Sequence, residues 1–210
     1  MNKKGILVVV SGFSGAGKGT LMKRLVEKYD KYALSISATT RQPRTGEEHG
    51  REYFFMNTQA FEQLIDQDEL IEYAKYVDNY YGTPKAYVEE QLNAGRDVIL
   101  EIEIQGALKV KAKLPETVLL FITPPSAEEL EKRLVGRGTE TMEVIKSRLR
   151  RANEEAEGIT GYDYVLINDD LEECVDEMHG IIQGEHCATV RNSDFIEKIS
   201  NELKGIMKGE

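Results

Sequence analysis

Only two cysteines, Cys174 and Cys187, occur in 210 residues. They show no metal-ligand spacing, and two thiols cannot build a disulfide framework. Cys174 lies in the helix-like stretch EECVDEM and reads as a small core residue. This scarcity implies a reducing compartment. Long apolar runs are missing too. After MNKKG the chain enters ILVVV directly, a run too short for a signal-peptide core or a membrane span. A cytoplasmic protein with no membrane partner is expected. Basic charge is in deficit: 27 Lys and Arg stand against 37 Asp and Glu, a formal net charge of −10. That balance argues against nucleic acid or anionic lipid as a main partner. Histidine is sparse. His49, His179 and His186 fall in a loop, a helix and near the tail, and read as surface residues rather than as a catalytic base.

What is present is the material of one sizeable domain, 40% hydrophobic and 30% charged. Residues 6–10 form a continuous β-branched run, as in a strand covered on both faces. TLMKRLVEKY follows, with Leu21, Met22, Leu25 and Val26 at the spacing of one helix face. Apolar runs recur at 98–104 (VILEIEI), 118–122 (VLLFI) and 164–167 (YVLI), with helix-like stretches between and after them. Alternation of this kind predicts a parallel sheet wound on both faces. Residues 38–90 break the pattern. EYFFM, LIEYAKYV and NYYGTP read as short strands around one helix, FEQLIDQ, in an inserted lobe with a partly antiparallel sheet. Residues 125–158 are charged and helical. The tail from about 189 reads as one more amphipathic helix.

Between the first strand and first helix lies Gly12-Phe13-Ser14-Gly15-Ala16-Gly17-Lys18-Gly19-Thr20. Gly12 to Lys18 fits the phosphate-binding loop G-x-x-x-x-G-K in its required strand–helix context. Glycines let backbone N–H groups turn inward, and the helix N-terminus adds partial positive charge. Lys18 is placed to reach the β- and γ-phosphates. The hydroxyl that usually follows the lysine and meets Mg²⁺ is absent at Gly19 and comes one place later, at Thr20. No N-K-x-D base-reading motif of a switch GTPase is present, nor is the repeat architecture of a motor ATPase. A small phosphotransferase remains.

A cluster of arginines stands out in so acidic a chain. TTRQPRTGEEHGREYFF, residues 39–55, carries Arg41, Arg44 and Arg51. Pro43 stiffens the turn between the first two, and guanidinium forks match phosphate oxygens. On charge alone the loop equally fits a solvated turn paired to Glu47, Glu48 and Glu52. The wider pattern S37-A-T-T-R41-Q-P-R44-x-G46-E47-x3-G50-x2-Y53-x-F55 resembles the signature of the guanylate kinase (GMP kinase) family of P-loop nucleoside monophosphate kinases. The resemblance continues in LIEYAKY, NYYGTP, LEIEIQGA, PPS, RLVGRGTET and INDDL, over residues 5–185.

That resemblance implies a P-loop parallel-sheet core flanked by helices (1–37, 91–125 and 159–188), an inserted mixed α/β GMP-binding lobe (38–90), a helical lid (126–158) and a helical tail (189–210). It implies that Arg41, Arg44, Tyr53 and Tyr81 hold the acceptor phosphate. Ser37, Glu72 and Thr83 would read guanine, with Glu47, Gly82 and Glu103 in the same acceptor set. A carboxylate at Glu72 can accept from the neighbouring N1–H and N2–H₂ of guanine, whereas adenine would face it with a lone pair. Glu101 and Glu103, read as alternating on one strand, would point to one face. Glu103 would lie near guanine, and Glu101 with Thr20 near Mg²⁺, largely through water. The family usually has at least one aspartate in this pair. Residues 12 to 20, Arg133 and Asn168 would bind ATP. Lys18, Arg41, Arg137 and Arg148 would carry catalysis by neutralising and aligning two polyanions, with no base required. The expected reaction is transfer of the γ-phosphoryl group of ATP to GMP, and to dGMP. A non-catalytic phosphopeptide-binding module and a kinase for another nucleoside monophosphate are the alternatives. Monomer and homo-oligomer both remain open, as does any role for the tail.

Overall fold

The computed structural model describes residues 4–76, 78–136 and 141–208. In chain order the elements are β1 (Leu7–Gly12), α1 (Lys18–Lys28), β2 (Tyr32–Leu34), β3 (Ser37–Thr39), β4 (Tyr53–Phe55), α2 (Thr58–Asp66), β5 (Leu70–Tyr76), β6 (Asn79–Pro84), α3 (Lys85–Asn93), β7 (Asp97–Glu101), α4 (Ile104–Lys113), β8 (Val118–Thr123), α5 (Ala127–Gly136), α6 (Met142–Ala156), β9 (Tyr164–Ile167), α7 (Leu171–Glu185) and α8 (Ser193–Lys208). A short 3₁₀ turn, Thr189–Asn192, precedes α8.

Five strands form a parallel sheet in the order β2-β7-β1-β8-β9. The central strand is the apolar run at the N-terminus, and Val8, Val9 and Val10 have no exposed surface. Successive side chains alternate faces. Val8 and Val10 join the layer under α1 and α7, while Leu7 and Val9 join the layer under α3 and α4. Each such fully buried aliphatic chain contributes about 1.5–3 kcal/mol of apolar burial. Sheet and helices therefore fix the carboxyl ends of β1, β7 and β8 together, the edge at which open α/β sheets bind ligands.

A second sheet, β4-β3-β6-β5, is mixed: β3 runs parallel to β4, and β6 runs antiparallel to both β3 and β5. Its small core gathers Ala38, Phe61 and Leu70 beneath α2. Asn57 caps that helix by accepting from the Ala60 N–H at 2.8 Å. The register pairs Ser37 with Tyr53 and Thr39 with Tyr81. Residues far apart in sequence thus meet on one small sheet. The helices α5 and α6 share a third cluster of Leu130, Leu134, Ile145 and Ala152, against which Phe13 packs.

Four expectations are corrected. The run 98–104 is not one strand: pairing stops at Glu101, and Glu103 takes the N-cap position of α4. The two glutamates therefore do not share a strand face. Helix α3 was not foreseen and crosses residue 90; its Val88 and Leu92 are buried in the main core, not in the lobe. The lobe sheet begins at Ser37. His179 and His186 are not surface bystanders. His179 stacks on Tyr29 at 3.7 Å between ring centroids and hydrogen-bonds Tyr32. His186 Nε2 lies 2.8 Å from the carboxylate of buried Asp97, which also accepts the Ile6 N–H. Asp170 does cap α7, accepting from the Glu173 N–H.

Candidate active site

The loop after β1 is shaped by close backbone packing. Gly12 has φ 155° and runs so near β8 that a Cβ would sit 2.2 Å from the Ile122 carbonyl oxygen. Gly17 adopts φ 89°, the left-handed region, directly before α1. A Cβ there would approach Asn168 Nδ2 to 2.6 Å. That amide donates to the Ala16 carbonyl at 2.8 Å and is itself buried. Asn168, expected beside adenine, thus lies beneath the loop and braces it. Lys18 Nζ folds back to the carbonyls of Gly12 and Phe13, at 2.8 and 3.2 Å. Ser14 Oγ accepts from Arg148 of α6. Gly15 touches α5 through Leu134, so the helical segment leans directly on the loop. Gly19 and Thr20 are exposed on the first turn of α1. A Cβ at position 19 would meet nothing within 4 Å, so packing does not require glycine there.

Across from this loop a cleft of about 930 Å³ is lined by Ser37, Tyr53, Glu72, Tyr81, Glu101 and Glu103, among others. Glu72 Oε1 accepts from Thr83 Oγ1 at 2.8 Å, and Thr83 is fully buried. Burial pushes the Glu72 carboxyl above the ordinary carboxylate value, against the Thr83 hydrogen bond. Gly82 is buried on β6, where a Cβ would meet Glu72 backbone and the Phe61 ring at 2.8 and 3.0 Å. Burial also raises Glu101, with the nearby Lys18 charge pulling the other way. That link places Glu101 between cleft and loop. Glu103 pairs instead with Arg151 of α6 at 2.7 Å.

The arginine turn is partly satisfied by its own acids. Arg41 donates to Glu47 at 2.9 Å and to the Gln42 carbonyl, and lies over the rings of Tyr53 and Phe55. Its guanidinium lowers the Glu47 pKa. The Arg44 N–H donates to the other Glu47 oxygen at 2.7 Å, while the Arg44 side chain is exposed. Arg51 is bound to Glu48, Glu52 and the Gly46 carbonyl. Tyr53 and Tyr81 stand 6.2 Å apart, centroid to centroid.

Among the charged helices, Arg133 is paired with Glu129 one turn before it. Arg137 lies outside the described residues. Arg151 was missed by sequence reasoning. Its signal was the three-residue step from Arg148, which puts both on one face of α6. Gln105 and Lys109 line the cleft from α4 and were also missed.

A family model, Guanylate kinase, matches residues 4–185. The chain belongs to the guanylate kinase family. A guanylate kinase of Caldanaerobacter subterraneus subsp. tengcongensis is 52% identical over 96% of this chain and 98% of that protein. One of Clostridioides difficile is 50% identical over the same shares. A crystal structure of guanylate kinase from Anaplasma phagocytophilum superposes with a TM-score of 0.69, at 34% identity, covering 91% of this chain and 92% of that one. Guanylate kinase function follows, and with it a nucleoside monophosphate kinase. As an ATP-dependent kinase of this family it has ATP and GMP as substrates. No helix among the described residues is long and apolar enough to cross a membrane.

Proposed function

We propose that the cleft between β5, β6 and α4 takes GMP, that the loop from Gly12 to Thr20 takes ATP, and that the γ-phosphoryl group passes between them. The observation that carries this reading is Glu72, a carboxylate held in the cleft by a fully buried hydroxyl. Its free oxygen is suited to the N1–H and N2–H₂ edge of guanine, with Ser37 beside it. The phosphate end would reach Arg41, Arg44, Tyr53 and Tyr81, and Glu47 would hold the two arginines in place. The same reading extends to dGMP, which carries the same base and phosphate.

The acceptor oxygen of GMP is already anionic near neutral pH, so the chemistry needs alignment and neutralisation rather than a base. Lys18 would exchange its loop carbonyls for phosphate oxygens. Arg148 already touches Ser14 of the loop and would meet the transferred group as α5 and α6 close. Arg133 and Arg137 would join it from the same segment. Closure of this lid (126–158) and of the lobe (38–90) over the core would exclude water, which would otherwise accept the phosphoryl group.

The side chains fit Mg²⁺. Among the described residues no three His, Cys, Asp or Glu groups converge as a metal cage. Mg²⁺ ordinarily binds one or two carboxylates together with waters and substrate phosphates. Thr20 and Glu101 supply oxygen donors only, and the Glu101 carboxylate lies within reach of the Lys18 charge. When bound, the ion would neutralise phosphate charge there.

A coupled ADP-release assay with GMP, dGMP, AMP, dTMP and UMP tests the reading. Turnover should be confined to GMP and dGMP. Equal turnover with AMP would remove Glu72 as the guanine reader, and no turnover with any acceptor would leave a binding module.

A further inference from the structure

The parallel sheet comes apart at one point, and a hydroxyl bridges the gap. Strand β1 pairs with β7 only as far as Val10 and Glu101, yet stays with β8 through Gly12 and Ile122. The two strands therefore part directly below the phosphate loop. Ile102, the first residue past the end of β7, keeps its N–H bonded to the Val10 carbonyl at 3.3 Å. A continued ladder would bring a β1 backbone N–H to the Ile102 carbonyl, but β1 has turned away by then. The Ser11 hydroxyl takes that place, donating to the Ile102 carbonyl at 2.7 Å. Ser11 is 1% exposed, so little water competes for the bond.

A second hydroxyl lies unused beside the first. The buried hydroxyl of Tyr162 has no hydrogen-bond partner among the described residues, and the Ser11 side chain lies next to it. Buried polar groups are ordinarily paired, and each exception calls for a reason. Ser11 gives its proton to Ile102 and keeps free lone pairs, while Tyr162 has a proton to donate. The Tyr162 ring is held in place. It packs edge-on to Phe121 at 5.3 Å, and Phe121 packs edge-on to Phe13 of the loop at 5.0 Å. Tyr162 also stands at a joint in the chain. After α6 comes a 3₁₀ turn, Ile159–Gly161, and Tyr162 is the first residue beyond it. The next residue, Asp163, is fixed to β8 by accepting the Leu119 N–H at 2.9 Å.

We infer that Ser11 and Tyr162 are positioning residues for phosphoryl transfer: with the Ile102 carbonyl they form a hydroxyl chain that fixes the floor of the acceptor cleft against the root of the phosphate loop. The inference rests on the proposed assignment of GMP to the cleft and ATP to the loop. Ile102 lies between Glu101 and Glu103, and all three line the cleft. Ser11 is joined directly to Gly12 of the loop. One bond thus sets the spacing between the two nucleotide sites. The Tyr162 link forms as α5 and α6 close over both nucleotides, because the turn that carries Tyr162 follows α6. Both side chains act through the backbone of residues 101–103. Their effect is on the alignment of two bound nucleotides, not on the binding of either one, and a misplacement of about 1 Å can lower a rate about 10²-fold.

Tyr162→Phe, Ser11→Ala and the two combined test it. Each full-length variant is assayed for kcat, for the Kd of GMP and of ATP measured separately by titration calorimetry, and for melting temperature. Tyr162→Phe should lower kcat about 3- to 10-fold, the effect of one hydrogen bond. Both Kd values and the melting temperature should stay at wild type, since that hydroxyl has no partner to lose among the described residues of the free protein. Ser11→Ala should lower kcat about 10- to 100-fold, again with both Kd values kept, and should lower the melting temperature. The double variant should match Ser11→Ala alone, because Tyr162 acts through Ser11. Wild-type kcat in Tyr162→Phe overturns the inference, even if Ser11→Ala does not fold. So does a weakened Kd that accounts for the lost turnover, or a pair of effects that multiply in the double variant. A wild type that does not phosphorylate GMP would sink the site assignment itself, and the inference with it.

Discussion

The two proposed anion sites of this molecule are built on opposite plans. The loop of Gly12 to Thr20 is held by the fold: its backbone abuts β8 at Ile122, rests on the buried amide of Asn168 and runs into α1. Its positive potential is largely backbone, and it is in place before any ligand arrives. The turn of Arg41 and Arg44 is held by counter-charge. Gln42 to Gly46 is exposed, and Glu47 grips one arginine through its guanidinium and the other through its N–H. A phosphate binding there must compete with Glu47 or share Arg41 with it. The first plan gives a rigid cradle, as a common donor needs. The second gives a clamp whose charge is masked until an acceptor with the right base is seated. The difference predicts that damage to the cradle lowers turnover, while damage to the clamp lowers acceptor affinity.

Lys18→Ala should have the largest effect. Loss of one preorganised charge at the transferred group costs about 10²- to 10³-fold in kcat. The melting temperature should move by less than about 3 °C, because Lys18 is half-exposed and its bonds to the loop carbonyls can be replaced by water. Steady-state kinetics and calorimetry on the same preparation would separate the two. Arg44→Ala comes next. Removing a charge-assisted contact should raise the KM for GMP about 10- to 100-fold and leave the KM for ATP unchanged. Arg51→Ala is its internal control and should change neither, since Arg51 is engaged with Glu48 and Glu52. If Arg44→Ala lowered kcat as deeply as Lys18→Ala, the contrast between cradle and clamp would collapse.

The base-reading end sharpens the contrast through pH. Burial holds the Glu72 carboxyl above its usual range, and the Thr83 hydroxyl opposes that shift. A protonated Glu72 loses its charge and one of the acceptor positions that guanine requires. GMP affinity should therefore fall as pH drops through this raised value, earlier than for a solvated glutamate. Thr83→Val removes the opposing hydrogen bond, so the acid limb should move to still higher pH. Titration calorimetry with GMP from neutral to acid pH measures it. A limb that stays in place would mean that the Thr83 bond does not act on the ionised form.

Much of this was legible in the sequence because it rests on short-range rules. The cradle follows from glycine placement between an apolar run and a helix face, and Asp170 announced the start of α7. What was illegible depends on partners far along the chain. Nothing local in His186 predicts a bond to Asp97, 89 residues away, and nothing in Asn168 predicts that it supports Ala16, 152 residues away. The run at 98–104 misled because apolar alternation continues past the point where the sheet ends. Glu103 turns the chain into α4, and its cleft-facing role now has to be shared with Arg151. Helix α3 was hidden because YVEEQLN lacks a cap signal, with Pro84 at its N-cap position. Apart from the family resemblance, the acceptor site is a product of strand register, which single segments do not encode.

The smallest predicted effect lies where the two plans meet, at Glu101. Its folded pKa is raised by burial above the ordinary 4.5. A group shifted upward stabilises the fold only while protonated, and that contribution is lost as pH rises through the folded value. At neutral pH the charged carboxylate is therefore a slight burden on the fold, since the residue is exposed to solvent and Lys18 lies nearby. Glu101→Gln keeps the shape and removes the charge. Because Glu101 is exposed to solvent, screening leaves only a small rise in melting temperature at neutral pH, less than about 1 °C, together with reduced turnover. The gain should shrink as the pH is lowered and vanish in acid, where wild-type Glu101 is protonated in both the folded and unfolded chain. Thermal melts of the two proteins across that range decide it. If the variant were less stable than wild type at neutral pH, Glu101 would be paying for itself within the fold, and the claim that its charge is kept for the ligand would fail.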